Sequence, residues 1–287
     1  MSVDLTGAAD LHVHFGPDPH RARSVDALGA AREAAVVGHA AIVLKSHDTP
    51  TAQLATTVGA TIASTVGGLH VFGGICCDRE VGGLNPAAVE VALRLGAAIV
   101  WLPTLSSRQD QANGVGAQLG IPGPGLTVVD DDGALLPETH EVLALVAEHD
   151  AILATGHVSA DEHYAVVREL AGRAKVLVTH AMEELAGPNL SQQQCVELAA
   201  LGAHIELCAL TCTGFLATRD PAELAACARA VGVDRVTLGS DFGQARNEHP
   251  AAGLQTYADL LLAAGLTETE IRRMACTNPS ALLGLDG

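Results

Sequence analysis

The chain has 287 residues and a formal net charge of −17, from 16 Lys+Arg against 33 Asp+Glu. With 48% hydrophobic and 17% charged residues it can bury a large core and is not a disordered segment. The acidic balance argues against nucleic acid or an anionic membrane as main partner, and 2% aromatics leave no platform for stacking bases.

Short apolar runs alternate with Ala- and Leu-rich helical patterns along the whole chain. Eight strands are predicted, at Asp10–His14, Ala41–His47, Val71–Cys77, Ala97–Thr104, Ala151–His157, Lys175–His180, Ala203–Cys208 and Arg235–Asp241. Their scarcity of polar positions suits a parallel sheet covered by helices on its outer face. Helical patterns fill the gaps at Val25–Val37, Pro86–Leu95, Glu138–His149, Ala160–Gly172, Ser191–Leu201 and Pro221–Val231. Gly38, Gly96, Gly202 and Gly232 stand where a left-handed C′ residue is expected. Ser159, Ser191, Asp220 before Pro221, and Asn85 before Pro86 read as N-caps. Eight strands alternating with helices predict one α/β domain over residues 1–287, a (β/α)8 TIM barrel. No Gly-rich fingerprint follows the first strand, which disfavours a doubly wound sheet.

The alternation breaks once, over residues 105–137, where little helical pattern is visible. The segment holds S-S-R-Q-D-Q-A-N-G-V-G, the turn-rich I-P-G-P-G, and T-V-V-D-D-D-G-A-L-L, which resembles a small hairpin with an Asp-Gly turn. A long connection in a compact barrel is usually functional, so this one is expected to be a lid or specificity loop after strand four.

Seven cysteines without a repeating framework read as reduced, mostly buried thiols of a cytoplasmic protein, with Cys76-Cys77 as packing. The N-terminal M-S-V-D-L-T-G-A-A-D-L-H-V-H has neither the basic nor the apolar region of a signal peptide. The stretch from Thr49 to Cys77 lacks Asp, Glu, Lys and Arg, and reads as a helix plus a strand, not a membrane span.

The chemistry is carried by the histidines and carboxylates that end the predicted strands. His12 and His14, two apart on strand one, share a face, and two imidazoles on one face can bind one metal ion. Strand two ends in K-S-H-D, placing Lys45 and His47 on one face; strands five and six end in His157 and His180; strand seven carries Glu206 and strand eight ends in Asp241. At the C-terminal ends of barrel strands these side chains face the mouth where such barrels build their sites. Six strands out of eight thus bring nitrogen or oxygen ligands to one rim, more than one ion needs. A centre of two metal ions is expected, with His12, His14, His47, His157, His180, Glu206 and Asp241 as ligands. Imidazole and carboxylate suit iron, manganese or zinc. Asp241, Glu206 and Lys45 are the candidate catalytic groups; Lys45 could equally be a ligand, a carbamate or the ion-pair partner of Asp48. Asp18 and His20 in F-G-P-D-P-H either orient ligands or form an ordinary turn. Arg21, Arg23 and Arg108 are candidate binders of an anionic small-molecule substrate.

The ordered H-x-H, His157, His180, Asp241 set and the C-terminal L-L-A-A-G-L-T-E-T-E-I-R-R-M-A-C-T-N-P-S-A-L-L-G-L resemble the amidohydrolase superfamily of metal-dependent TIM barrels. That resemblance implies a binuclear metal-dependent hydrolase of an ester, amide, lactone or thioester. The superfamily often has a bridging Lys or Glu on strand four, where this sequence has Trp101-Leu-Pro-Thr104. F-G-P-D-P-H, V-L-K-S-H, G-G-L-N-P, D-G-A-L-L-P-E and A-T-G-H are similar to a narrower branch, the TIM-barrel non-haem di-iron monooxygenases of platensimycin and platencin biosynthesis. This closer resemblance implies two irons, O2 as co-substrate, an external electron donor and an apolar, diterpenoid-like substrate linked to CoA. The main expectation is therefore a monooxygenase, with hydrolysis as the alternative. A homo-oligomer is compatible with either.

Overall fold

The computed structural model describes residues 2–121 and 123–285, so Pro122 of the I-P-G-P-G turn lies outside the described residues. Eight strands form one sheet in the order of the chain: β1 (Ala9–His14), β2 (Ala41–Lys45), β3 (His70–Cys76), β4 (Ala97–Trp101), β5 (Ile152–Ala154), β6 (Lys175–Val178), β7 (His204–Cys208) and β8 (Val236–Gly239). The paired strands run parallel, in registers such as His14 beside Lys45 and Trp101 beside Ala154. The sheet order and the intervening helices are those of the expected (β/α)8 TIM barrel.

The helices are α1 (Ala27–Val36), α2 (Ala52–Thr65), α3 (Pro86–Arg94), α4 (Arg108–Ala112), α5 (Val115–Leu119), α6 (Pro137–Glu148), α7 (Ala160–Leu170), α8 (Gln192–Ala200), α9 (Pro221–Val231), α10 (Pro250–Ala263), α11 (Glu268–Arg272) and α12 (Asn278–Leu282). Their ends follow the local chemistry. Ser159 with Glu162, Ser191 with Gln194 and Asp220 with Glu223 close capping boxes, and Asn85 caps α3 with Pro86 in its first turn. Gly38, Gly96, Gly202 and Gly232 all take positive φ at helix ends. The uncharged stretch holds α2 and the whole of β3, and among the described residues no helix is long and apolar enough to cross a membrane.

Internal contacts group the chain into two compact units, Met1–Lys45, Gln53–Phe72 and Glu206–Gly287 in the first, Ser46–Ala52 and Gly73–Ile205 in the second. In the first, Val13, Ile42 and Leu44 pack beneath Ala27, Ala30, Ala31 and Ala34 of α1 and Ala55, Val58 and Ile62 of α2. The alanine stripe lets α1 lie close to its strands. The turn after β8 joins β1 through Asp241 N–H to His12 O at 3.0 Å and His14 N–H to Phe242 O at 2.9 Å. In the second unit, Trp101 is buried against Gly74, where a Cβ would stand 2.4 Å from its ring and from Ile99 O. All seven cysteines are buried thiols outside any disulfide, as expected, and burial pushes the Cys77 thiol up.

Two expectations need correction. Several strands end earlier than the apolar runs suggest. β2 stops at Lys45, β4 at Trp101, β5 at Ala154, β6 at Val178 and β8 at Gly239, so His47, Thr104, His157, His180 and Asp241 stand on the turns that follow. Side chains replace the ladder there: Thr179 Oγ1 accepts Gly156 N–H at 3.0 Å, and Thr155 Oγ1 accepts Thr179 N–H at 3.1 Å. The insertion is also more ordered than its sequence suggests. It holds α4 and α5, a small core of Leu105, Val115 and Ile121, and a tight hairpin in which Val129 pairs antiparallel with Leu135. The hairpin turn closes on Asp130, whose Oδ1 accepts the N–H groups of Asp132 and Ala134 at 2.9 Å each.

Candidate metal centre

In the first unit the period of two on β1 puts both imidazoles on one side. His12 Nε2 and His14 Nε2 lie 3.2 and 3.1 Å from Asp241 Oδ1. Lys45 Nζ, from the adjacent strand β2, lies 3.0 Å from the same His12 Nε2. Glu206 of β7 addresses the other ring nitrogen, its Oε2 being 3.0 Å from His12 Nδ1. Cys208 Sγ lies 4.0 Å from that nitrogen. All these side chains are buried. Asp241 sits at φ 52°, a left-handed conformation that costs a residue with a Cβ about 1–3 kcal/mol and concentrates at functional sites. The strain aims its carboxylate at the two imidazoles.

The hydrogen-bond logic fits a cation. A Lys45 ammonium has only donors, so His12 Nε2 accepts from it and His12 carries its proton on Nδ1, donated to Glu206. The one lone pair of His12 Nε2 is then directed at Lys45, and Asp241 Oδ1 faces the same nitrogen as a second acceptor, so an ion at Nε2 would take the place of the Lys45 bond. A metal ion between such atoms removes that conflict, and a carboxylate on the far nitrogen of a ligating histidine is the usual support. His12, His14 and Asp241 offer ligand atoms within 4.8 Å of one another. The residues present therefore fit a divalent ion with nitrogen and oxygen donors.

The second unit holds the other candidate ligands, His47, His157 and His180. His157 Nε2 and His180 Nε2 are 2.8 Å apart, and the rings of His47 and His157 are 6.0 Å apart between centroids. His180 has φ 25°, again off the allowed backbone of an L residue. His47 Nδ1 donates to Thr104 Oγ1 at 2.7 Å, and that hydroxyl donates to Asp78 Oδ2. Asp78 Oδ1 also accepts the N–H groups of Thr104 and Ser106, both at 2.9 Å. Lys45 and His47 do not act as a pair on one strand face, because β2 ends between them and each serves a different cluster.

Three carboxylates escaped the sequence reading. Asp78 stands on the turn after β3, and Asp110 comes from α4. Asp10 on β1 accepts His12 N–H at 3.1 Å and Ser240 N–H at 3.0 Å, tying β1 to the end of β8. Burial raises the Asp10 carboxyl to about 6 against these bonds. The arginines fall apart as a group. Arg23 Nε and Nη2 donate to Asp18 Oδ2 at 2.9 and 2.6 Å, while Asp18 Oδ1 takes the N–H groups of His20 and Arg21 at 2.8 and 2.9 Å. Burial opposes ionisation of Asp18, but the Arg23 guanidinium and these bonds outweigh it and hold the carboxyl below its usual range. Arg21 is half-buried, and Arg108 is exposed on α4.

The sheet order and the alternating helices define a (β/α)8 barrel, with histidines and carboxylates on the turns after its strands. Residues 7–206 match the model of a family described as a family of unknown function (DUF6282), and the chain belongs to that family. No curated protein matches the chain. Similar solved structures include an amidohydrolase from Pseudomonas aeruginosa, with TM-score 0.63 and 14% identity over 98% of this chain and 95% of that one. A 2,6-dihydroxybenzoate decarboxylase from Rhizobium has TM-score 0.60 and 13% identity over 98% and 100%. A metallo peptidase from Rhodobacter sphaeroides, solved with a phosphinate mimic of the dipeptide L-Ala-D-Ala, has TM-score 0.58 and 16% identity over 96% and 99%. At these identities the likeness is one of fold.

Proposed function

We propose that this chain is a metal-dependent hydrolase that cleaves an ester, amide, lactone or thioester in a small molecule. The observation that carries the reading is the convergence of His12 Nε2, His14 Nε2 and Asp241 Oδ1 in a buried cluster backed by Glu206. The hydrolytic and decarboxylating neighbours support it by analogy of fold. His12, His14 and Asp241 would hold one ion; His157 and His180, with His47 beside them, would hold a second. Such ions supply Lewis acidity and a water of lowered pKa. Glu206 keeps the His12 proton on Nδ1 and so keeps Nε2 available. Asp241 places a carboxylate where a proton from water can be taken and passed to the leaving group. The Lys45 ammonium donates into the same cluster and offsets negative charge developing on a carbonyl oxygen. Arg21, Arg23 and Arg108 are the candidates for an anionic group on the substrate, Arg23 being held by Asp18.

Oxygen chemistry is the second reading, and it is favoured by the motif resemblance alone. On it the ions are iron, O2 is co-substrate, an external donor supplies electrons, and the substrate is an apolar CoA thioester. The three solved neighbours described above are two hydrolytic proteins and a decarboxylase, and Asp18 of F-G-P-D-P-H is engaged by Arg23. Turnover of a panel of esters, lactones, amides and thioesters should be measured in the absence of oxygen, with zinc, manganese or iron reloaded. Hydrolysis that survives anaerobically and is lost to a chelator is expected. Product formation only with O2 and a reductant would instead establish the oxygenase.

A further inference from the structure

The insertion after β4 carries a buried carboxylate into the second unit's histidine cluster. Asp110, on α4, is fully buried, and its Oδ2 lies 2.6 Å from His157 Nδ1. Its Oδ1 accepts Gly187 N–H at 2.7 Å, and Asn113 Nδ2 donates to Gly187 O at 2.9 Å. The same helix is thus fastened twice to the turn after His180 and once to His157. Gly187 takes φ 76°, and a Cβ there would stand 3.5 Å from His180 Cε1. The loop therefore packs directly on the imidazole pair.

A carboxylate has no proton to donate, so His157 must carry its hydrogen on Nδ1. Nε2 is then a lone pair, directed at His180 Nε2 only 2.8 Å away. This tautomer is the one a metal ligand needs, and its orienting group is supplied by a segment outside the regular βα repeat.

We infer that Asp110 is the positioning residue of the ion site at His157 and His180, so that ordering of α4 and occupancy of that site are coupled. The inference rests on the metal-dependent reading above. By linkage, an ion that needs the His157 Nδ1–H tautomer stabilises the docked α4, and undocking α4 weakens the ion. The insertion is then a structural part of the site, beyond any role as a cover.

Asp110→Asn tests this sharply, because Asn keeps an oxygen for Gly187 N–H but turns an amide donor toward His157 Nδ1. The His157 proton should move to Nε2. Nitrogen-15 chemical shifts of the metal-free protein report the tautomer, with His157→Ala identifying the signal. Wild type should show Nδ1–H and D110N should show Nε2–H. Zinc affinity at this site, followed by elemental analysis after dialysis, should fall by about 10–100-fold in D110N. Zinc should slow amide hydrogen exchange in residues 108–119 of the wild type and not of His157→Ala. Asn113→Ala, which leaves Asp110 in place, gives a milder loss of the same protection and covers the case of a poorly folded D110N. An unchanged tautomer and wild-type zinc affinity in D110N would overturn the coupling while leaving the metal reading intact. Failure of the wild type to retain zinc through His157 and His180 would overturn both.

Discussion

A neutral imidazole has one proton, and which ring nitrogen holds it decides whether the other can ligate. His12 and His157 have that decision made by buried carboxylates, Glu206 and Asp110, and His47 by Asp78 acting through Thr104. Glu206→Gln is expected to weaken metal binding about 10–100-fold while leaving the fold intact, as read by competition with a chelator and by circular dichroism. Equal affinity in the variant would show that Glu206 is not the orienting group. The pairing of His12 with His14 is legible in sequence because a strand repeats every two residues. Asp78 and Asp110 are not, because they reach the histidines from turns and from an insertion, where no periodicity fixes direction. One signal was present: Ser107-x-x-Asp110 is a helix-start pattern, and Ser107 Oγ does accept Asp110 N–H at 3.0 Å.

At the scale of elements, the apolar runs locate every strand but overrun several C-terminal ends. The apolar pattern reports burial, and the turns that carry His157, His180 and Asp241 are as buried as the strands before them. Backbone geometry separates the two. Gly156, which ends the run before His157, has φ +63°, and a Cβ there would stand 2.2 Å from Leu102 O and 2.7 Å from Pro103 O. Gly156→Ala is expected to cost about 3 kcal/mol or more, through both the left-handed backbone and the clash with main-chain atoms. Urea denaturation measures this, and wild-type stability in the variant would contradict the placement of that turn. The helices of the insertion went unread because α4 and α5 span only five residues each, too short to show an amphipathic repeat.

Across the whole molecule, two buried histidines outside the candidate metal clusters contribute to the response to acid. Burial lowers His39 and His163 to about 4. His163 Nδ1 donates to Ser159 O at 2.9 Å, so a proton on its buried Nε2 would have no acceptor. The unfolded chain takes these protons near pH 6.5 and the folded chain only near 4. Stability therefore rises with pH across that window, by up to about 3 kcal/mol for each histidine, offset in part by Asp10, whose raised carboxyl acts in the opposite sense, and the two histidines contribute no further slope above it. Glu162 acts lower: burial opposes its ionisation, but bonds from Thr127, Ser159 and Val128 hold its carboxyl below the usual range. Its contribution is present above the ordinary carboxylate range and is lost as pH falls through it. Urea midpoints that stay flat between pH 4.5 and 6.5 would contradict this account.

The measurement that bears most directly on the central claim is the metal content of protein equilibrated with zinc and dialysed against a weak chelator. Wild type should be compared with a His14→Ala, Asp241→Asn double variant. On the proposed reading, in which each histidine cluster holds its own ion, about two ions per chain are expected in the wild type and about one in the variant. No retained metal in the wild type, or the same content in both proteins, would contradict the assignment of His12, His14 and Asp241 as a metal centre.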